Sequence, residues 1–507
     1  MGWLHTWAGV VLGALLFAVF WTGTLSVFDK EIDRWMMPET RLAATGQLSW
    51  LPLLDTAREL APDAPFWSFF LPSERVPVVR IFYRDSAGDF TFRDIEPRTG
   101  ALLPDAGTLA GTRFIFPFHY SLHLRWNDLG YWLVGLAGMA TLVLLVSGVV
   151  IHRKIFMDFF TFRPDRKLPR SSLDLHNLTG VLALPFHFVM ALSGLIIFFA
   201  IYFPTVVSIA YDGDRAAFNR DAFGSFQREA AGAPGAVASL DQMAAEATRI
   251  WGGEPPDFVR VWRPGDANGT VEIRRTRARS IDMNVDAVHF DAATGEVLRT
   301  HTAQPVVHVQ RFIAGLHFIQ FEHWPLRWIY FVLGLSGCVM IATGYVYWLE
   351  TRRKRHAAQG LPGVRIVEGL TVGSVSGIAI ATLAFFVANR LLPLGMIFAG
   401  YDRAAVEVWA FYLVWLVTFA HAWARPGRAW REQCWAIGGL AILAVGLNAA
   451  TTGDHLVRSL AHRHLWPVAG MDLLLLVGAA VALLIALRLA RRRSAVHPSQ
   501  DALKAAE

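Results

Sequence analysis

Nine histidines lie at the ends of, or inside, long apolar stretches: His5, His119, His123, His152, His176, His187, His308, His317 and His323. An imidazole carries a proton or binds a metal near neutral pH, and a ligand-capable side chain in an apolar span costs free energy, which makes it a functional candidate. Four of the nine are duplicated with their surroundings. "LHTWAG" places Leu4, His5 and Gly9 where "LHNLTG" places Leu175, His176 and Gly180, at a shift of 171; "SLHLRW" with His123 matches "GLHFIQ" with His317 at a shift of 194. A b-type haem held by two histidines needs two neutral imidazoles from different helices, apolar walls and small residues that let the macrocycle approach the backbone. Gly9, Gly180, Gly135, Gly138, Gly334 and Gly337 meet the last need. His5, His123, His176 and His317 are therefore the foremost candidates for metal or haem ligation. Equal depth makes His5 with His176 and His123 with His317 the simplest pairs, with His152 or His187 as substitutes. His187 follows His176 by eleven residues, roughly three helical turns or about 16 Å, which returns to nearly the same face. A single histidine at a span end is ordinarily interfacial, and His119, His308, His323, His421, His455, His462 and His464 are read that way. No acid, base or nucleophile constellation stands out, so catalytic residues are unknown.

The elements that carry these histidines are membrane spans. Of 507 residues 54% are hydrophobic and 17% charged, and the apolar residues come in blocks long enough to cross a bilayer. Eight blocks lie near 4 to 28, 129 to 152, 177 to 203, 326 to 349, 367 to 390, 404 to 424, 432 to 450 and 466 to 490. Basic residues set the orientation. Arg153, Lys154, Arg163, Arg166, Lys167 and Arg170 follow the second block, Arg352 to Arg355 the fourth, Arg425, Arg428 and Arg431 the sixth, and Arg491 to Arg493 the eighth. Both termini are expected in the cytoplasm, with segments 29–118 and 204–315 outside it. The formal charge of +6 follows from this bias and requires no nucleic acid. Cys338 and Cys434 fall within spans, where neither a structural disulfide nor a cysteine-bound metal is expected.

The expected fold is a mainly α-helical integral membrane protein of about eight spans, with a duplicated four-helix core and two small α+β domains. The repeat unit is helix (1–28, 176–203), outside domain (29–118, 204–315) and helix (119–152, 316–350). Cytoplasmic loops occupy 153–175 and 351–366, four additional spans 367–490, and a tail 491–507. "IEPRTGALL" from Ile95 matches "FDAATGEVL" from Phe290, and both read as strand–turn–strand. Strands are expected near 77–84, 90–95, 257–263, 270–275, 286–290 and 296–300. A helix starts after Ser239 with Gln242 completing a capping box. "FWSFF" from Phe66 reads as a buried strand with a membrane-facing edge, and "RRTRAR" from Arg274 as a solvated strand face or a site for an anionic ligand or lipid headgroup. The pairs Thr22-Gly23, Ser193-Gly194, Ser147-Gly148 and Thr343-Gly344 read as close helix packing.

Taken together, "LHTWAG" with "WTG", "LHNLTG" with "LSG", the "LH" steps at His123 and His317 and the turns at Glu96 to Gly100 and Asp291 to Gly295 resemble the PepSY-associated transmembrane proteins over residues 1 to about 355. That family includes bacterial inner-membrane ferric-siderophore reductases. The resemblance implies two haem b groups held at His5, His123, His176 and His317, PepSY-like domains over the outer haem, and electrons passed to an iron(III) siderophore. Glu96 departs from the Asp291 pattern. No nucleotide-binding domain follows the fourth span, which implies an external donor, a quinol or a reduced flavin. Reduction releases iron because hard anionic oxygen ligands hold Fe(II) far less well than Fe(III). The competing readings are a non-redox siderophore or peptide transporter and a PepSY-type protease regulator, neither of which needs haem.

Overall fold

A computed structural model describes residues 1–43, 48–152, 161–203 and 205–494. Arg153, Lys154 and the tail beyond residue 494 lie outside the described residues. Among the described residues, seven helices are long and apolar enough to cross a membrane: Gly2–Ser26, Trp126–Ile151, Trp324–Ala358, Gly363–Leu391, Arg403–Ala424, Ala429–Thr452 and Arg463–Arg491. An eighth span, third in chain order, is a pair, Leu168–Leu182 and Leu184–Ile197, bent by 64°. The single helix expected there is broken for a local reason. Pro185 has no N–H to give to Val181, and its ring crowds that carbonyl.

The chain divides into two compact units. One comprises Met1–Pro38, Gly107–Ala191 and Trp328–Glu507; the other comprises Glu39–Ala106 and Leu192–Arg327.

The first unit is helical. A Cβ at Gly13 would lie 2.5 Å from the Tyr345 hydroxyl, which donates to the Val10 carbonyl at 3.0 Å. The last four spans, which had no readable role in the sequence, centre on Gly363–Leu391. Its Gly369, Gly373 and Gly377 lie under Trp423, Phe419 and Thr418 of the next helix, where added Cβ atoms would lie 2.0 to 2.2 Å from those side chains. Small residues four apart let the two backbones approach, as membrane helices require. These spans also receive the helix Asp29–Met36 that follows the first span. Trp35 is fully buried and its Nε1 donates to Asp472 Oδ1 at 2.8 Å. Arg34 donates to the His464 carbonyl at 2.5 Å, and the Thr112 amide donates to Asp33 Oδ1 at 2.9 Å. Polar residues that read as the start of an outside domain are thus spent inside the helical unit.

The second unit is built on one antiparallel sheet. The strands are β1 (Phe66–Phe70), β2 (Val79–Arg84), β3 (Phe90–Ile95), β4 (Pro256–Trp262), β5 (Thr270–Arg275), β6 (Ala287–Asp291) and β7 (Val297–His301), in the order β3-β2-β1-β4-β5-β6-β7. The two strand groups, read from sequence as separate domains, join where Phe66 to Phe70 pair with Trp262 to Phe258. "FWSFF" is therefore a central strand and not an edge. Side chains alternate across it. Trp67 and Phe69 enter an apolar core with Ile81, Val259, Val261, Ile273 and the helices Trp50–Leu60 and Leu240–Ile250. Ser239 Oγ caps the second of these helices by accepting from the Gln242 amide at 3.3 Å. The two duplicated turns close alike: Asp291 Oδ1 accepts from the Thr294 amide at 3.0 Å and Glu96 Oε2 from the Thr99 amide at 2.6 Å. Gly100 and Gly295 supply the positive φ, +72° and +78°. The longer Glu96 does the same work as Asp291.

His289 on β6 is fully buried. Its Nε2 donates to the Gly224 carbonyl at 2.9 Å, and burial holds its pKa below the ordinary 6.5, against the opposing pull of Glu272. The unfolded chain then binds the proton more readily, so the stability His289 contributes is present above pH of about 6.5 and is lost as pH falls through the folded value. We expect the unfolding midpoint to fall between pH about 7.5 and about 5.5. His289→Gln should flatten that slope; an unchanged slope would remove His289 from the account.

Candidate functional site

The first unit brings His5 and His176 together. Their ring centroids are 6.2 Å apart and their planes stand at 86°. The pair comes from two helices, His5 from the first turn of Gly2–Ser26 and His176 from the third turn of Leu168–Leu182. Each ring is held by its inner nitrogen. His176 Nδ1–H donates to the Met340 carbonyl at 2.8 Å. His5 Nδ1 lies 3.0 Å from Ser147 Oγ; that hydroxyl already donates to the Leu144 carbonyl at 3.2 Å, so it accepts from His5. With Nδ1 protonated on both rings, each neutral imidazole has its Nε2 lone pair free, the state in which imidazole binds a metal.

The seat beneath each ring is a glycine. A Cβ at Gly148 would stand 3.4 Å from His5 Cε1, and one at Gly344 would stand 3.1 Å from His176 Cε1. These are the glycines of the duplicated Ser147-Gly148 and Thr343-Gly344 pairs. The other two pairs do the same. His119 lies on Gly23, whose added Cβ would be 2.7 Å from its Cε1, with Nδ1 donating to the Val19 carbonyl at 2.9 Å. In the second unit His317 lies on Gly194, at 2.9 Å by the same measure, with Nδ1 3.1 Å from Ser193 Oγ. The four pairs, read as helix packing, are four imidazole seats.

The spatial counterpart of His317 is therefore His119 and not His123. His123 follows the short helix Phe116–Ser121 with a φ of +54°. Its ring stacks on Phe114 at 5.0 Å and 13°, and its Nε2 donates to the Phe114 carbonyl at 2.8 Å. It lines a cavity of about 780 Å³ with Phe118, Tyr412 and Trp415. The nitrogen that His5 and His176 leave free is used here.

His187 is fully buried beyond the bend of the third span. Its Nε2 donates to the Leu333 carbonyl at 3.1 Å and its Nδ1 has no partner among the described residues. It lies over Gly337 while His176 lies over Gly344, so both rings face the fourth span two turns apart. His152 ends the second span and makes no side-chain hydrogen bond among the described residues. His308 Nδ1 is 3.9 Å from Asp282, and His323 Nδ1 accepts from the Leu326 amide at 3.2 Å.

The His5–His176 geometry fits a haem iron. Two imidazole nitrogens on opposite sides of one metal, each at about 2 Å, set ring centroids roughly 6 Å apart. Carbonyl and hydroxyl partners on Nδ1 fix the tautomer and orientation in the way that ligating histidines are usually supported. The glycines remove the side chains that would push the rings off their helices.

A family model for the PepSY-associated TM region matches residues 2–351. An uncharacterised protein of Pseudomonas aeruginosa is 29% identical over 299 residues, which cover 55% of this chain and 73% of that relative. The match ends at the close of the fourth span, and residues 352–507 lie outside it.

Proposed function

The chain belongs to the family of PepSY-associated transmembrane regions, and from that premise we propose that it is a haem-b reductase of the bacterial inner membrane that delivers electrons to periplasmic ferric siderophores. The observation that carries this reading is the His5–His176 pair, perpendicular at 6.2 Å with both Nδ1 atoms engaged. Haem b, two per chain, would supply reversible one-electron transfer. By the same seat, His119 and His317 are each proposed as a haem-iron ligand, and His123 takes a packing role. A membrane quinol or reduced flavin is the proposed donor, and Fe(II) released from the chelate the product.

The chain's own residues do the positioning. Ser147 and Met340 hold the two imidazoles in one tautomer, so that no rotation or proton rearrangement accompanies a change of charge between them. Phe20 stands edge-on to His187 at 5.6 Å, and Met340, whose carbonyl accepts from His176, lies against Gly180, which gives the helical interior beside the rings an apolar lining. Low dielectric there raises the cost of net charge and so tunes the potential.

Protein reduced with stoichiometric dithionite should, on anaerobic mixing with a ferric siderophore and ferrozine, produce the ferrous–ferrozine complex. Failure to form ferrous iron would contradict the proposal. A non-redox transporter is the second reading. It is favoured by the broken third span, because discontinuous helices line the substrate sites of many transporters, and it requires no haem.

A further inference from the structure

One face of the sheet carries the core; the other carries a cation set among aromatic rings. On β1, β2, β3 and β4 the residues opposite Trp67 and Phe69 are Phe66, Ser68, Phe70, Phe82, Phe90, Phe92, Phe258, Arg260 and Trp262. The Arg260 guanidinium lies 5.2 Å from the Phe66 ring and 5.0 Å from each of the Phe258 and Trp262 rings. Its Nε donates to Ser68 Oγ at 2.7 Å. Its cross-strand neighbour Glu272 attracts it but makes its ion pair with Arg274, and among the described residues no carboxylate lies within ion-pair distance of Arg260. The neighbouring cations differ: Arg80 is paired with Asp94 at 2.8 Å and Arg274 with Glu272, while Arg84 covers the Phe90 ring at 4.5 Å. The rings continue outward from Arg260. Phe66 contacts Phe82 at 5.5 Å, and Phe82 stacks on Phe90 and Phe92 at 5.0 and 4.8 Å with planes within 29°. Phe90 and Phe70 are exposed.

A guanidinium held by one hydroxyl and three rings keeps its planar fork of N–H donors for something else, and such a fork matches an anion better than an ammonium would. From β2 to β5 this face carries Arg80, Arg84, Arg260 and Arg274 against Asp94 and Glu272, so the patch carries surplus positive charge. The flat, stacked phenyl walls suit an aromatic ligand, which can slide between rings at offset-stacking distance. An acyl chain or a neutral hydroxamate makes no use of the cation.

We propose that this aromatic–arginine face is the docking site for an anionic iron(III) chelate whose ligating groups are aromatic, a catecholate or phenolate siderophore, with Arg260 receiving its charge and Phe82, Phe90 and Trp262 stacking on its rings. The proposal rests on the ferric-siderophore reading above for its substrate class, and it names which chemical kind of siderophore is selected. It concerns binding alone and involves no electron transfer.

The test uses the full chain in zwitterionic nanodiscs and redox-inert probes. Tryptophan fluorescence is titrated with the gallium(III) complex of a tris(2,3-dihydroxybenzamide) and, separately, with a neutral gallium(III) tris-hydroxamate. The catecholate should quench saturably. Arg260→Gln should weaken that binding at least about tenfold, the loss of a charge-assisted contact, Arg260→Lys should weaken it less, and Arg249→Gln on the opposite, helix-covered side should leave it unchanged. Unaltered binding by both Arg260 variants overturns the proposal, as does equal weakening for the neutral hydroxamate. Dependence on Arg260 that appears only when phosphatidylglycerol is added assigns the face to lipid headgroups and overturns it too. Phe90→Ala, at an exposed ring, should weaken catecholate binding even where the Arg260 variants fold poorly; unchanged binding there counts against the aromatic walls. Haem content of the same preparation judges the reductase reading separately. A colourless protein that still binds the catecholate through Arg260 would keep this site and lose that reading.

Discussion

His176→Ala should remove one of the two proposed b haems, halving the reduced-minus-oxidised absorbance per chain, and His5→Ala should give the same spectrum. The two rings stand 6.2 Å apart, so His5 and His176 together would hold one haem iron, and each variant would remove one of its two protein ligands. The seat provides a second, independent handle. Gly344→Val places side-chain carbon where even a Cβ would lie 3.1 Å from the His176 ring, and should lower occupancy of the same haem while leaving both histidines in place. His123→Ala should retain both haems, because its Nε2 is already engaged by the Phe114 carbonyl; His119→Ala should not. Loss of haem from His123→Ala with retention in His119→Ala would reverse the assignment made from the glycine seats.

Glu407→Leu should be the most destabilising single change in the last four spans. Glu407 is fully buried. Its carboxylate lies 3.3 Å from Arg403 Nε, accepts from Asn389 Nδ2 at 3.0 Å and is bonded by the Thr108 hydroxyl. Removing it leaves the Arg403 cation with the Leu392 and Asn389 carbonyls but no counter-charge, and breaking a buried pair in this way costs about 3–5 kcal/mol. Glu407→Gln keeps acceptors for Thr108 and Asn389 and should fall between Leu and the parent. Cys338 and Cys434 are both free and buried, so a thiol-reactive fluorophore reports unfolding of the detergent-solubilised chain directly. The midpoint should drop by several degrees for Glu407→Leu. A midpoint equal to that of the parent protein would mean that Glu407, whose bond from Asn389 joins the fifth and sixth spans, contributes nothing to stability.

Hydropathy alone located most spans to within a few residues, because the bilayer imposes length and composition on each helix separately; the third begins earlier and the fourth ends later than their apolar blocks, where charged residues continue the helix. It did not show the bend at Ala183, although Pro185 was in plain view. A proline can be absorbed in a membrane helix, and whether it breaks one depends on neighbours. His5 and His176 were legible because the repeat preserves Leu-His at matched depth. His119 was hidden by the same device: the Leu-His step aligned His123 with His317, whereas the chain turns left-handed at Leu122 and His123 and presents the earlier histidine to the glycine. The signal that could have found it was the fourfold Ser/Thr-Gly pair. A glycine beneath an imidazole and a glycine beneath a neighbouring helix leave the same mark in a sequence, and only the partner's identity separates them. The β1–β4 pairing was unreadable for a different reason, since it joins residues nearly 200 positions apart, such as Ser68 and Arg260, and no local pattern encodes a partner at that range. The buried residues Trp35, Asp472, Arg403 and Glu407 were likewise scattered over three segments, each of which looked like an ordinary polar span end.

The central claim is that these histidines hold haem iron, and one optical measurement meets it directly. Protein purified in mild detergent from haem-replete cells should show, on dithionite reduction, the sharp α and β bands of six-coordinate b-type haem, with a pyridine haemochrome count close to two per chain. A colourless protein, or haem that washes away without changing the histidine variants' spectra, would contradict the account and leave the four seats as packing devices.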